Sequence, residues 1–141
     1  MADGRVARGW LRFRDEPEGV RVATILAVDD DPTIQQLLVV NLELEGYDVI
    51  VASDGEEALE RIRKDKPDAV LLDVMMPRMD GMEVCKAAKA DPETASIPIV
   101  ILSAKAQQDD IAQGADVGAD AYLTKPFDPL DLIETVQRFV G

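Results

Sequence analysis

Residues 69–77 read Ala-Val-Leu-Leu-Asp-Val-Met-Met-Pro, an apolar run that ends in the carboxylate of Asp73. Three other short runs also end in polar side chains: Val28 precedes Asp29-Asp30-Asp31, Leu102 precedes Ser103, and Thr124 precedes Lys125. Unbroken apolar runs of this length are typical of strands buried in a parallel sheet. Because the carboxyl ends of parallel strands meet at one edge of the sheet, the sequence predicts a crevice there, lined by carboxylates, a hydroxyl and an ammonium.

Strand and helix signals alternate five times from Ala23 to the end of the chain. The predicted strands cover residues 24–28, 47–52, 69–73, 99–102 and 120–123. Helix starts are marked by Asp31-Pro32, by a capping box formed by Ser53 and Glu56, by Asp80 with Glu83, and by Asp128-Pro129. A weaker helix is predicted over 107–117, interrupted by Gly114. This alternation predicts an α/β fold, a doubly wound (βα)5 parallel sheet with helices on both faces.

The composition excludes several classes of protein. The 141 residues suit one domain, and a formal net charge of −13 repels phosphate backbones, so direct nucleic-acid binding is not expected. The chain has no histidine, which excludes a Ser/His/Asp hydrolase and most zinc chemistry. Any phosphohistidine must therefore come from a partner. No apolar run approaches the roughly 18 residues that span a bilayer, so membrane insertion is not expected.

Cys85 is the single cysteine. No disulfide can form within the chain, which fits a reducing compartment, and we expect a cytoplasmic location. Cys85 lies inside a helical pattern, and the chain offers neither a second thiol nor a histidine to activate it. We therefore interpret it as a small packing residue rather than a redox thiol.

Residues 1–22 differ from the rest of the chain. They carry five arginines against four acidic residues, so the acidity belongs to residues 23–141. Trp10, Leu11 and Phe13 among these arginines would suit a membrane-surface helix, but three glycines and a proline interrupt the segment. We interpret it as a flexible leader, or as translation from an upstream start codon that is not native, and place the domain at 23–141.

The predicted crevice has the chemistry of a divalent-cation site. By analogy with the flavodoxin-like family, whose strand order is 2-1-3-4-5, it lies between strands one and three, beside Asp29, Asp30 and Asp73. Two carboxylates 4 Å apart repel by about 4 kcal/mol at an effective dielectric near 20. Mg²⁺ relieves this repulsion, because it prefers oxygen ligands and takes one or two carboxylates with water.

Beside such a cation, Asp73 is placed to act as the nucleophile of phosphoryl transfer. Lys125 and Ser103 would neutralise the phosphoryl oxygens. Taken singly, these residues have plainer interpretations, such as helix-start acids, a strand-end cap or solvated loop residues. As a set at four strand ends, they favour the functional interpretation.

Four segments, in order along the chain, resemble the receiver domain of two-component response regulators over about residues 23–141. They are Ile25-Leu26-Ala27-Val28-Asp29-Asp30-Asp31-Pro32, Leu72-Asp73-Val74-Met75-Met76-Pro77 with Met79-Asp80-Gly81, Leu102-Ser103-Ala104, and Tyr122-Leu123-Thr124-Lys125-Pro126-Phe127. The resemblance implies that Asp73 is the phosphoacceptor. It implies that Asp30 binds Mg²⁺ directly, that Asp29 does so mostly through water, and that the Met75 carbonyl is the backbone ligand. Asp73 itself is expected to be a further ligand of the cation.

The resemblance also implies a set of switch residues. Ser103 takes the position of the switch hydroxyl, where Thr is more frequent, and Lys125 that of the phosphate-pairing lysine. Tyr122 takes the aromatic position that turns inward when the hydroxyl is drawn to the phosphate, although an aromatic on a short strand is also often plain core. The Lys125-Pro126 peptide is expected to be cis.

The implied function is that of a stand-alone, single-domain response regulator. A partner histidine kinase or phosphotransfer protein would supply the phosphoryl group, with Mg²⁺ or, in its place, Mn²⁺. Phosphorylation would then change the face formed by the fourth helix, fifth strand and fifth helix, which binds an unknown output protein. The chain would be a monomer or a weak phosphorylation-dependent dimer, and not an enzyme beyond its own phosphorylation and dephosphorylation.

Several alternatives remain at this stage. The chain could be a phosphorelay intermediate or a structural receiver that is never phosphorylated. An aspartate-nucleophile phosphatase of the haloacid dehalogenase type needs a second acid two residues after the nucleophile, where this chain has Met75. A flavin-binding flavodoxin-like protein needs a Gly/Ser/Thr cradle for the flavin phosphate, where this chain has acids.

Overall fold

The computed structural model describes residues 22–104, 112, 113 and 115–140 of the protein. The strands are β1 (Thr24–Val28), β2 (Asp48–Ala52), β3 (Ala69–Asp73), β4 (Ile99–Ser103) and β5 (Ala121–Thr124). The helices are α1 (Pro32–Leu44), α2 (Gly55–Asp65), α3 (Gly81–Ala90) and α4 (Pro129–Val140). Apart from Val22, the predicted leader lies outside the described residues, as does most of the helix predicted over 107–117, of which residues 112, 113, 115 and 116 are helical.

The strands form one parallel sheet in the order β2-β1-β3-β4-β5. The predicted doubly wound sheet and its strand order are thereby confirmed. The register pairs Val28 with Leu72 and Asp73 with Leu102. Because these strands end at the same level, the residues that follow them are brought to one edge of the sheet.

The sheet separates two apolar cores, because successive residues of a strand point to opposite faces. Leu26 and Leu72 belong to the core that packs against α2 and α3. Ile25 and Leu71 belong to the core that packs against α1 and α4. Strands β3 and β4 are buried at every position. That two-sided burial explains why their sequences are unbroken apolar runs.

The start of α2 differs from its prediction by one residue. Asp54, not Ser53, is the N-cap, and its side chain accepts a hydrogen bond from the N–H of Glu57 at 2.8 Å. The side chain of Glu57, not that of Glu56, reaches back across the start of the helix and accepts a hydrogen bond from the N–H of Ser53. This frame makes Gly55 the first helical residue, where the backbone carbonyl of Met79 leaves no space for a side chain. The helix start predicted at Asp80, with Glu83 at the third helical position, is confirmed, and the two side chains form a capping box.

The ammonium of Lys89 joins α3 to the entrances of β4 and β5. Its Nζ donates to the carbonyl oxygens of Ala95 and Ile97, at 3.1 and 2.8 Å, and to Oδ2 of Asp120 at 2.8 Å. The same carboxylate oxygen accepts a hydrogen bond from the N–H of Ile99. The Lys89 side chain is only 16% exposed, so its ammonium is partly shielded from water, whereas the Asp120 side chain is 34% exposed.

We expect Lys89→Met to lower the free energy of unfolding by about 2 kcal/mol, because it leaves two carbonyls and a carboxylate without their charged donor. Urea denaturation followed by circular dichroism measures the change. Lys86→Met is the matched control on the exposed side of the same helix, with an expected change within about 0.5 kcal/mol. Equal midpoints for both variants would contradict the stabilising role of Lys89.

The thiol of Cys85 is buried in the core beneath α3, as expected of a packing residue. Burial raises its pKa from 9.0 to about 11. Because the raised pKa favours the neutral thiol over the reactive thiolate, we expect Ellman's reagent at pH 8 to modify the native protein at least about a hundredfold more slowly than the denatured protein. Cys85→Ser provides the blank, and similar native and denatured rates would contradict the prediction.

Candidate functional site

The carboxyl edge of the sheet brings together the polar residues predicted from the strand ends. Asp29 follows β1, and Asp73 is the last residue of β3. Ser103 is the last residue of β4 and lies opposite Thr124 of β5, which immediately precedes Lys125. The parallel register places these four residues at one edge of the sheet.

Three carboxylates form the centre of this crevice. Asp29 and Asp73 are buried, with 1% and 6% of their surface exposed, whereas Asp30 is exposed to solvent. One oxygen from each of the three lies within 4.8 Å of the others. Opposite ligands of Mg²⁺ are about 4.2 Å apart, twice the usual metal–oxygen distance, so this spacing suits a small divalent cation. The donors are all hard oxygens, which is the set that Mg²⁺ prefers.

The ammonium of Lys125 bridges the two buried carboxylates. Its Nζ lies 2.6 Å from Oδ2 of Asp29 and 3.0 Å from Oδ1 of Asp73. These residues come from the ends of β1, β3 and β5. The contact therefore exists only because the sheet is assembled, and it partly offsets the repulsion between the acids.

The pKa values of the site show how strongly these groups depend on each other. Burial raises the pKa of Asp73; the hydrogen bond and charge of Lys125 oppose this shift, and the charges of Asp29 and Asp30 add to it. Burial alone lowers the pKa of Lys125, but the hydrogen bonds that it donates to Asp29 and Asp73, together with the negative charges of both acids, outweigh burial and leave the pKa raised. The lysine thus stays protonated at neutral pH, and the site favours further positive charge beside Asp73.

Of the predicted switch residues, Ser103 and Lys125 lie at the carboxyl edge of the sheet, and Tyr122 lies two residues before the end of β5. Ser103 is buried at the end of β4. Tyr122 is half-buried on β5, opposite Ile101, and packs against the core beneath α2 and α3. The Lys125-Pro126 peptide is cis, as predicted. The roles assigned to Ser103 and Tyr122 stay predictions.

Met75 lies in the loop after β3, with 74% of its surface exposed. Met75 and Met76 line a cavity of about 470 Å³ together with Asp30 and Asp80. The loop therefore forms the rim of the acidic crevice. The assignment of the Met75 carbonyl as a cation ligand stays a prediction.

Gln35 of α1 is a site residue that the sequence did not reveal. Its side-chain amide donates hydrogen bonds to the carbonyl oxygens of Asp29 and Ala52, both at 3.1 Å, and to Oγ of Ser53 at 3.3 Å. Gln36, the next residue, is exposed. Helical spacing alone does not distinguish these two glutamines, because the distinction depends on how α1 docks against β1 and β2.

The lengths and compositions of the helices bear on membrane insertion. Within residues 22–104 and 112–140, leaving out residue 114, we find no helix with the length and apolar character required to cross a bilayer.

Comparison with known proteins identifies the family. Residues 25–137 match the response regulator receiver domain family. The chain is 50% identical over 116 residues to the alkaline phosphatase synthesis transcriptional regulatory protein PhoP of Bacillus subtilis (strain 168). That alignment covers 82% of this chain and 48% of PhoP, so the chain spans about half the length of this relative.

Solved structures have the same fold. A putative response regulator from Chloroflexus aurantiacus has a TM-score of 0.81 at 39% identity, covering 84% of this chain and 98% of that one. The receiver domain of sensor histidine kinase PA1611 from Pseudomonas aeruginosa, with a magnesium ion coordinated in its active-site cleft, has a TM-score of 0.80 at 31% identity, covering 86% and 99%. With four polar strand ends gathered at one edge of a 2-1-3-4-5 sheet, the chain belongs to the response regulator receiver domain family.

Proposed function

We propose that this receiver domain accepts a phosphoryl group on Asp73, from a partner histidine kinase or phosphotransfer protein, in a reaction that requires Mg²⁺. Receiver domains are phosphoacceptor switches rather than conventional enzymes, and they bind Mg²⁺ in an acidic pocket. The observation that carries the proposal is the bridge from Lys125 to Asp29 and Asp73, beside the oxygen of Asp30. One crevice thus contains a nucleophile (Asp73), acids that can bind a cation (Asp29 and Asp30) and an ammonium that can pair with phosphate (Lys125).

The chemical step uses groups that already face each other. An oxygen of Asp73 forms a bond to phosphorus while the phosphorus–nitrogen bond of the donor phosphohistidine breaks, and the imidazole keeps the electron pair. The ammonium of Lys125, now on Oδ1 of Asp73, pairs with one phosphoryl oxygen, and the hydroxyl of Ser103 donates to another. Asp30, Asp73 and the Met75 carbonyl would hold Mg²⁺ directly, and Asp29 mostly through water; the cation would supply positive charge that neutralises the phosphoryl oxygens.

Phosphorylation would act as a switch because it adds negative charge and strong hydrogen-bond acceptors at the edge of the sheet. Ser103 moves toward the phosphoryl group, and Tyr122 fills the space that it leaves. The face that changes is the proposed output surface, formed by the segment of residues 112, 113 and 115–117 from the predicted fourth helix, by β5 and by α4. The exposed residues 112, 113, 115 and 116 of that segment suit an element that moves readily.

We infer that the phosphorylated receiver acts by binding an output protein, or passes its phosphoryl group on as a phosphorelay intermediate. The chain spans about half the length of the relative PhoP, a transcriptional regulatory protein. A mass of 15.4 kDa for the protein isolated from its source cells would indicate that the output protein is a separate chain. A mass about twice as large would indicate a fused output domain and would reopen nucleic-acid binding through it.

Further features of the proposal follow from the chemistry of the site. Mn²⁺ should replace Mg²⁺, because the two cations accept similar oxygen ligands in an octahedron. A cytoplasmic location is supported by the free Cys85 and by a phosphodonor partner.

We propose a monomer or a weak dimer that forms on phosphorylation. A receiver that is never phosphorylated is the alternative, and the completeness of the acidic site argues against it.

The labelling of purified protein with radioactive phosphoramidate tests the proposal. We expect incorporation that requires Mg²⁺, that Mn²⁺ supports and EDTA abolishes, and that hydroxylamine releases, because the product is an acyl phosphate. Borohydride reduction followed by mass spectrometry should locate the modified residue at position 73. Incorporation at another residue, or incorporation that is insensitive to EDTA, would overturn the proposal.

A further inference from the structure

Gln35 connects the carboxyl ends of β1 and β2 with a side chain. Its Nε2 donates to the carbonyl oxygen of Asp29 just beyond β1 and to that of Ala52 at the end of β2, each at 3.1 Å. The carbonyl of Ala52 also accepts the N–H of Asp29 at 3.2 Å. The amide thus continues the hydrogen bonding of the sheet by one step, at the edge that carries the acidic crevice.

All four polar atoms of Asp29 are held by the surrounding protein. Its N–H binds Ala52, its Oδ1 accepts the N–H of Asp31 at 2.9 Å, and its Oδ2 accepts the ammonium of Lys125 at 2.6 Å. Its carbonyl oxygen accepts the amide of Gln35. Among these contacts, the one to Gln35 can be removed by substitution without changing a backbone group or one of the charged residues of the site.

The neighbouring acid is held differently. Asp30 is exposed, and its position depends on the turn between Asp29 and the N-cap Asp31. The orientation of its carboxylate toward Asp73 therefore depends on the backbone conformation of that turn. Gln35 fixes one end of the turn, because it holds the peptide that joins Asp29 to Asp30.

From this geometry we propose that Gln35 is a positioning residue for the divalent-cation site. It acts through the backbone of Asp29 and keeps the carboxylates of Asp29 and Asp30 at the spacing that a cation requires. The inference rests on the proposed binding of Mg²⁺ and adds to it a residue that touches neither the cation nor the phosphoryl group. Residues that orient metal ligands typically change metal affinity by about 10- to 100-fold when they are replaced.

Calorimetric titration of Mg²⁺ into the full chain tests this proposal. Gln35→Leu keeps the size of the side chain but removes its donors, and we expect the dissociation constant for Mg²⁺ to rise about tenfold. Gln36→Leu makes the same change on an exposed neighbour, and its dissociation constant should stay within about twofold of the original. Should Gln35→Leu not fold, Gln35→Asn replaces it, because its shorter amide reaches fewer of the acceptors.

A purely structural role of Gln35 is separated by a stability control. Thr94→Val removes a buried hydroxyl that donates to the carbonyl of Ala88, and Thr94 precedes β4 at the opposite end of the sheet. Melting temperatures in EDTA give the stability lost by each variant. We expect the affinity for Mg²⁺ to be weakened in Gln35→Leu and unchanged in Thr94→Val, even where both variants lose stability to a similar extent.

A further variant separates the existence of the cation site from the role of Gln35 in positioning it. Asp30→Asn should weaken Mg²⁺ binding at least about tenfold, and an unchanged affinity would overturn the proposed cation site itself. If Asp30→Asn weakens binding while Gln35→Leu leaves the dissociation constant within about twofold, the cation site stands and the role of Gln35 is wrong.

Discussion

Replacement of Asp73 by Asn is expected to reduce labelling by phosphoramidate on the order of a thousandfold or more, to the background of the assay. The amide keeps the shape of the side chain and its hydrogen bond to Lys125, but it lacks the anionic oxygen that attacks phosphorus. Labelling measured over time at saturating Mg²⁺ gives the ratio of rates. The large expected effect follows from removing the nucleophile, for which no neighbouring group can substitute with the same geometry.

The fold of the Asp73→Asn variant should be unaffected. Burial and the charges of Asp29 and Asp30 raise the pKa of Asp73, so the ionised carboxylate is under electrostatic strain in the site without a cation. Removing its charge should leave the thermal midpoint in EDTA unchanged or higher. Asp116→Asn, at an exposed position far along the chain, is the control for loss of one acid and should label normally. Normal labelling of Asp73→Asn would place the acceptor at another residue.

Gly81→Ala should be among the most damaging small substitutions in the protein. A Cβ at Gly81 would lie 2.2 Å from the backbone oxygen and 2.9 Å from the backbone carbon of Asp73. Overpacking against side chains typically costs about 1–3 kcal/mol. Because backbone cannot rotate away as a side chain can, we expect a loss of about 3 kcal/mol or more, and the start of α3 should shift away from Asp73.

Urea denaturation provides the measurement, and a second glycine provides the comparison. Gly46 has a φ of +95° and open space around its Cα, so Gly46→Ala suffers only the backbone strain of about 1–2 kcal/mol. If Gly81→Ala costs no more than Gly46→Ala, the close approach to Asp73 does not constrain the fold. Where Gly81→Ala still folds, its rate of labelling should also fall, because the peptide of Asp73 has moved.

Much of the architecture was predictable because its signals are local. Each strand contains a run of three or four apolar residues. The helix starts at Asp31-Pro32, Asp80 and Asp128-Pro129 carry recognisable capping residues. The start of α2 was missed by one residue because Ser53 and Asp54 are both good N-caps. Tertiary contact between Gly55 and Met79 favours the frame with Asp54, and no local signal contains that information.

The candidate site was predictable in its composition but not in its geometry. Asp29, Asp73, Ser103 and Lys125 stand out because each follows an apolar run, and parallel strands bring such positions together. The pairing of Lys125 with both buried acids, across 96 positions of sequence from Asp29, depends on the assembled sheet. Gln35 was missed because glutamine in the first turns of a helix is common and usually solvated.

The amino-acid sequence by itself determined the alternation of strands and helices, the parallel sheet and the identity of the polar residues at its edge. Hydrophobic period and capping chemistry act over a few residues, so they can be read from neighbouring positions. Only the tertiary structure decided which two carboxylates Lys125 contacts, which glutamine holds Asp29 and where a glycine is indispensable. These contacts depend on strand register and on the docking of helices, because they join segments whose separation in sequence carries no information about their distance in space.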